Sequence, residues 1–187
     1  MTFSVELAAV PFLANGAGVV GIVLGASWAL LNRRSTILVC QTVGALCFAL
    51  HFFLLGATIG AVTCLAGAVQ SVAARLPLAG RARIALYGAT LVLAGAVTLA
   101  AGRGVPSLLA LFALGWATIG RVQDDTQRMR LAFLASTGAW AVHNFLVGSI
   151  VGNVSDALTS AGILAGLWTH RRRQRRLPLL APRPARA

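Results

Sequence analysis

The sequence predicts an all-α polytopic membrane protein: seven transmembrane helices in two parallel triple-helix-bundle repeats joined by one linker helix, a 3+1+3 plan. Three observations carry this prediction. Of 187 residues 58% are hydrophobic and 11% charged, with a mean hydropathy of +0.82, whereas a soluble domain has about 25% charge and 45–50% apolar residues. A water-facing shell around a core is therefore unavailable, and the same figures exclude a disordered, collagen-like or disulfide-rich secreted chain. The second observation is the placement of the arginines, in short gaps between apolar runs or at the end. The third is a fourteen-residue stretch that recurs 92 positions later.

A membrane-crossing helix needs about 20 largely apolar residues. The first run, 8–31, ends at Asn32-Arg33-Arg34. Ser35 to Ala74 is forty residues without a formal charge. As one helix it would extend about 60 Å, twice the hydrocarbon thickness. It is therefore read as two antiparallel spans, 36–55 and 57–74, with the break at Gly56. A further run covers 84–101. Arg103-Gly104-Val105-Pro106 is a turn with a helix-start proline, opening a short span at 105–120. Leu131 to His170 is again forty residues between arginines, breaking near Gly148 into 131–148 and 150–169.

Sixteen Arg and no Lys face four acids, a net charge of +12. Position excludes a nucleic-acid binder, because such a surface needs a folded basic face with interleaved polar and aromatic groups. Arg33–Arg34, Arg75–Arg81–Arg83, Arg121–Arg128–Arg130 and Arg171–Arg172–Arg173–Gln174–Arg175–Arg176 instead flank spans, which is the orientation signal of membrane insertion. The gaps after the first, third, fifth and seventh spans hold fifteen of the sixteen Arg, and only Arg103 falls opposite. The expected localisation is thus multi-pass in a cell inner membrane, N-terminus outside and C-terminus cytoplasmic. A missed or invented span would scramble this alternation. Cys40, Cys47 and Cys64 lie in apolar stretches and read as small hydrophobes. With no CxxC or Cys/His cluster, no metal and no cofactor are expected. Glu6 and the lack of a basic start argue against a cleaved signal peptide.

Ala49 to Val62 matches Ala141 to Val154 at seven of fourteen positions, in the pattern A-x-H-x-F-L-x-G-x-x-x-G-x-V. Such self-similarity marks an internal repeat. Spans one to three and five to seven then run in the same direction, and the fourth is the single return crossing. One membrane domain, 1–187, follows: repeat one at 8–74, linker helix 84–101, repeat two at 105–169 and an Arg-rich cytoplasmic tail, 170–187. Upstream the register drifts, with Trp28 and Trp116 matching at an offset of 88. Where parallel repeats build a transporter, the substrate site lies between them near the midplane.

Polar groups inside a bilayer are costly, so each asks for an account. Asp156 is the one acid well inside a span; it should face a cavity or a partner, or be protonated. His51, His143, Asn15, Asn153 and Asp156 lie to the outer side of their span centres, within roughly 5–8 Å of the midplane at 1.5 Å per residue. Trp140, His143 and Asn144 share one helical face, Asn153, Asp156 and Ser160 another, and Gln41, Phe48 and His51 a third. The pathway candidates are Asp156, Asn153, His143, Asn144, His51, Trp140 and Gln41. His51 and His143 have a competing reading, hydrogen bonds to turn backbones that hold each hairpin closed. Gly56/Gly60 and Gly148/Gly152 read as turn and packing devices. Trp28, Trp116 and Trp168 read as an interfacial belt, and Asp124 and Asp125 as solvated loop residues.

At Gln41, His51-Phe52-x-x-Leu55-Gly56-Ala57 and Trp140-x-x-His143-Asn144-x-x-x-Gly148-Ser149-x-x-Gly152-x-x-x-Asp156 the chain resembles the YgjV-type family of bacterial inner membrane proteins. The resemblance spans most of 10–170. It implies a distant similarity to the SWEET and PQ-loop transporters. One departure is that no Pro-Gln dipeptide occurs, Cys40 preceding Gln41, so a mechanism hinged on those prolines does not carry over.

The leading functional reading is a small-solute transporter or facilitator working by alternating access, its substrate unidentified. The rival is a non-transporting assembly or lipid-interacting membrane protein, which would use the basic tail to hold anionic lipid. An enzyme is not expected: there is no GxSxG, no HExxH and no close pair of acids. The partners implied are the lipid bilayer and a small solute, with no nucleic acid, and homo-oligomerisation stays open.

Overall fold

The computed structural model describes the backbone of residues 2–101 and 104–180, and side chains from Phe12 to Gln174 apart from 102, 103 and 173. Seven helices follow in order: α1 (Thr2–Trp28), α2 (Arg34–Leu54), α3 (Thr58–Ala73), α4 (Gly80–Ala101), α5 (Val105–Val122), α6 (Thr126–Leu146) and α7 (Ile150–Leu180). Among the described residues every regular element is helical.

Both forty-residue runs divide at their glycines. Gly56 and Gly148 each hold φ +71°, a left-handed conformation that only glycine adopts without steric cost. After α2 the Ala57 and Gly56 amides donate back to the Phe52 (2.8 Å) and Phe53 (3.0 Å) carbonyls. After α6 the Ser149 and Gly148 amides donate to Asn144 (2.8 Å) and Phe145 (3.2 Å). Both ends are Schellman motifs, which satisfy the last carbonyls before the chain turns.

Four boundaries depart from expectation by four residues or more: α1 starts at Thr2 rather than 8, α4 at Gly80 rather than 84, α6 before 131, and α7 ends beyond 169. α6 starts before the predicted 131 because Asp125, expected only to be solvated, is its N-cap: one carboxylate oxygen accepts from the amides of Gln127 (3.1 Å) and Arg128 (2.8 Å). α7 continues beyond the predicted end at 169 into the tail, where Arg, Gln and Leu are good helix formers. Arg103 and residues 181–187 of the tail lie outside the described residues.

Among the described residues four helices are long and apolar enough to cross a membrane: α2, α4, α5 and Ile150–Arg172 of α7. Phe12–Trp28 and Thr58–Ala73 are apolar but shorter. α6 carries Gln127, Arg128 and Arg130 in its first turns, which dilutes its apolar content. The exterior is apolar: Val92 and Leu99 on α4 and Phe145 on α6 are 73%, 77% and 77% exposed. A surface of this kind marks contact with lipid or another apolar partner.

α2 packs against α1 and α3, and α6 against α5 and α7; α1 meets α7, and α3 meets α5. These contacts close a circuit of six helices, with α4 outside it against α3 and α5. At the end of the circuit where α1, α3 and α5 finish, the buried core includes Trp28, Ile37, Leu38, Met129, Phe133 and Ile163. Trp28 is thus not part of an interfacial belt. It is 6% exposed, and its ring meets Phe133 edge-on at 5.2 Å. Trp168 keeps the expected exposed position, with the Arg172 guanidinium 3.6 Å over its ring.

Two arginines at the same end bond backbone carbonyls rather than solvent. Arg34 at the start of α2 donates to the carbonyls of Gln123 (3.0 Å) and Arg121 (2.8 Å) beneath α5, and to Ala74 (3.2 Å) after α3. Arg130 in α6 is 1% exposed and donates to the Leu31 carbonyl beyond α1 (2.7 Å). Gln123 and Leu31 stand 92 residues apart, so equivalent carbonyls are held in both halves of the chain.

Candidate functional site: a polar cavity inside the helix circuit

Two cavities of about 170 Å³ each lie within the circuit. They share Ala45, Phe48, Ala117, Arg121, Trp140 and Ser155 as walls, so they are adjoining lobes of the interior. One lobe is bounded by Phe52, Cys64, Asn144 and Asp156, the other by Trp28, Cys40, Gln41 and Thr137. Walls come in pairs 92 residues apart: Phe48 with Trp140, Phe52 with Asn144, Thr63 with Ser155, Cys64 with Asp156.

Four of the seven predicted pathway residues reach this space. Asp156, Asn144 and Trp140 line the first lobe, and Gln41 the second. Asn144 is 3% exposed and donates from Nδ2 to Asp156 Oδ2 at 2.8 Å. Its Oδ1, and both polar atoms of the Gln41 side chain, are buried without a partner. The glycine at 152 makes the first pair possible. A Cβ there would stand 2.6 Å from Asn144 Oδ1 and collide with the rest of that amide. At the equivalent position a Cβ on Gly60 would meet the Phe52 ring at 2.9 Å.

His51, His143 and Asn153 belong elsewhere. His51 Nδ1 lies 2.7 Å from the Ala14 carbonyl, and His143 Nδ1 lies 2.7 Å from the Pro106 carbonyl. A carbonyl only accepts, so both rings carry hydrogen on Nδ1. The bonds do go to backbone, but they tie α2 to α1 and α6 to α5 rather than closing the glycine turns. Residues at 48, 52, 140 and 144 face the centre, and the histidines lie round the helix from them toward α1 and α5. Asn153 donates from Nδ2 to the Ser149 carbonyl (3.1 Å) and so belongs to the turn before α7. Asn15 is exposed on the outer surface. On α7 the inward face is therefore Gly152, Ser155, Asp156 and Thr159, not Asn153, Asp156 and Ser160.

Arg121 is the residue that sequence reasoning missed. Assigned to a gap, it sits inside α5, is 5% exposed and lines both lobes. Nε donates to Ser71 Oγ and Nη1 to Gln70 Oε1, each at 2.9 Å. Gln70 also accepts from Thr118 (2.9 Å) and donates to Thr90 on α4 (2.8 Å), so the outer helix buttresses this platform. Nη2 has no hydrogen-bond partner among the described residues. A signal was present: α5 starts at Val105, and sixteen residues at 1.5 Å reach only about 24 Å, short of a hydrocarbon core about 30 Å thick.

Among the described residues no carboxylate lies within 4.0 Å of a basic group. Arg121 and Asp156 thus border one lobe without pairing. The cysteines are free, with Cys64 and Cys40 each lining a lobe.

An apolar exterior, an all-helical body and a polar interior cavity define an integral membrane protein. The chain belongs to the Imp-YgjV family of bacterial inner membrane proteins, whose pattern it matches over residues 12–174. No curated protein and no solved structure matches the chain.

Proposed function

We propose that this protein is a small-solute transporter or facilitator, not an enzyme, in which two like-oriented three-helix units alternate about a central solute site. The units are α1–α3 and α5–α7, joined by α4 as the return crossing. One observation carries the reading: Arg121 and Asp156 face the same lobe of the interior space, unpaired. An uncompensated buried charge costs several kcal/mol, and that cost is readily understood where a passing solute compensates it. Support for the repeats comes from the recurrence of the His–carbonyl bond, the glycine turn and the paired cavity walls at the 92-residue offset. By the positive-inside rule the arginine-rich end is read as the cytoplasmic one, with the N-terminus outside and the C-terminus inside.

Alternating access needs a closure that can open. Arg34 and Arg130 supply one at the cytoplasmic end, since each bonds a carbonyl of the opposite unit. Releasing them separates α1 from α6 and α2 from α5 beneath the cavity. The test is uptake from a metabolite extract into proteoliposomes, comparing the parent with Asp156→Asn. Solutes taken up by the parent should be lost or slowed in the variant. Uptake identical to protein-free vesicles would leave the rival assembly or lipid-interacting role.

A further inference from the structure

The geometry points to a small zwitterion of the α-amino-acid type as the solute of the central cavity, with its carboxylate at Arg121 and its ammonium at Asp156 and Asn144. This inference rests on reading the cavity as the solute path, and it derives from the hydrogen bonds that the cavity leaves unmade.

At one pole the unmet groups are donors. Arg121 is held by Ser71 and Gln70 through Nε and Nη1, so its guanidinium is fixed in orientation while Nη2 faces the space near Gly67. A Cβ at Gly67 would stand 3.2 Å from that nitrogen; the glycine leaves the approach open. A guanidinium has donors only, and its natural complement is an anionic acceptor such as a carboxylate. At the other pole the unmet groups are acceptors. Asn144 Oδ1 is buried and unpartnered, and Asp156 accepts through Oδ2 alone, its Oδ1 receiving no hydrogen bond among the described residues. An ammonium offers three donors and no acceptor, so it fits that pair of oxygens. Phe48, Phe52 and Trp140 form the wall between, apolar toward a side chain and able to hold a cation over their faces.

A simple anion would answer Arg121 and leave the acceptor pole unmet; a simple amine would do the reverse. Only a molecule carrying both groups completes both poles. The lobe's volume of about 170 Å³ limits that molecule to a small one.

The experiment uses the full-length purified chain in lipid nanodiscs, with binding read by calorimetry. The probes are L-alanine, L-leucine and L-phenylalanine, each beside its amide, which lacks the anion, and its deaminated acid, which lacks the ammonium. At least one amino acid should bind about tenfold or more tightly than both of its analogues, the scale of one lost charge-assisted hydrogen bond. Asp156→Asn should erase the preference over the deaminated acid, and Arg121→Gln the preference over the amide. Should Arg121→Gln fail to fold, Asp156→Asn alone decides, since it keeps shape and volume. A deaminated acid binding as well as its amino acid overturns the inference. So does the absence of amino-acid binding in a protein that takes up some other solute, a result that leaves the transporter reading intact. Absence of uptake for every solute removes both.

Discussion

Replacing Gly152 by alanine offers the sharpest test of how the cavity is built. The new Cβ would stand 2.6 Å from Asn144 Oδ1 and closer still to that side chain's Cγ and Nδ2. No rotamer of a side chain only 3% exposed escapes this without moving the amide off Asp156. The loss of a hydrogen bond to a carboxylate costs about 1.5–3 kcal/mol, and overpacking adds about 1–3 kcal/mol. Gly152→Ala should therefore destabilise the fold by about 2.5–6 kcal/mol. Asn144→Ala alone removes the bond but creates no collision. In that background the obstacle is gone, and Gly152→Ala should become neutral or even stabilise by up to about 1 kcal/mol, the helix preference of alanine over glycine. The change of sign is the signature. Denaturation in detergent micelles across the four proteins measures it as a coupling energy of at least about 2 kcal/mol. If the two substitutions add to within about 0.5 kcal/mol, Gly152 is not there to admit Asn144. Gly148→Ala is the contrasting case. Nothing lies within 4 Å of its Cβ position, so its cost of about 1–2 kcal/mol comes from the left-handed backbone, and no neighbouring substitution should relieve it.

Other outcomes follow from the same contacts. His51→Ala and His143→Ala should each lower stability by about 1–3 kcal/mol and by similar amounts, because each breaks one 2.7 Å bond to a neighbouring helix; markedly unequal melting shifts would contradict their equivalence. With Arg34 and Arg130 both changed to alanine, the proposed cytoplasmic closure should be lost. A charged thiol reagent on the cytoplasmic side should then modify Cys40 faster in a protein lacking Cys47 and Cys64; an unchanged rate would show that those arginines are not the barrier. Ending the chain after His170 should leave uptake intact, since the cavity walls all precede it; loss of uptake in a correctly inserted protein would give the tail a role beyond topology.

Helix count and the two glycine breaks were legible because they follow from one-dimensional quantities: run length against bilayer thickness, and the backbone freedom of Gly56 and Gly148. The side-chain assignments divide differently. Asp156 and Asn144 were legible as costly polar groups, and the structure brings them within hydrogen-bond reach at 2.8 Å. Helical spacing put His143 on the same face as Trp140 and Asn144, but one face is wide enough to touch two neighbours. Which of them a side chain reaches is settled by packing of α6 between α5 and α7. Arg121 and Trp28 were hidden by rules that hold on average. Arginines at span ends usually meet water, and tryptophans there usually meet headgroups. Here α5 ends within the layer covered by α3 and α6, and Phe133 and Ile163 close over the indole. The reach of the basic tail was hidden as well, because charge argues for a membrane boundary and says nothing against continuing a helix.

Comparison of the two halves separates scaffold from chemistry. Among the seven repeat positions that keep their identity across the 92-residue offset, His51/His143, Gly56/Gly148 and Gly60/Gly152 serve geometry: a bond to the preceding helix, a turn, a close approach. Several of the positions that differ face the cavity, where Phe52 answers Asn144, Cys64 answers Asp156 and Gln41 answers Phe133. A two-fold scaffold of identical walls would present the same groups twice and suit a symmetric solute or a channel with no preferred orientation. Divergence at these inward positions instead supports the proposed division of the space into one donor pole and one acceptor pole. Such a site distinguishes the two ends of a molecule, and a solute held in it has a single orientation. Restoring symmetry tests this directly. Asn144→Phe with Asp156→Cys would make those two walls alike, keep the histidine bonds and turns, and fit beside Gly152 as Phe52 fits beside Gly60. The variant should fold and lose solute binding; binding retained at parental affinity would show that the inward differences carry no recognition.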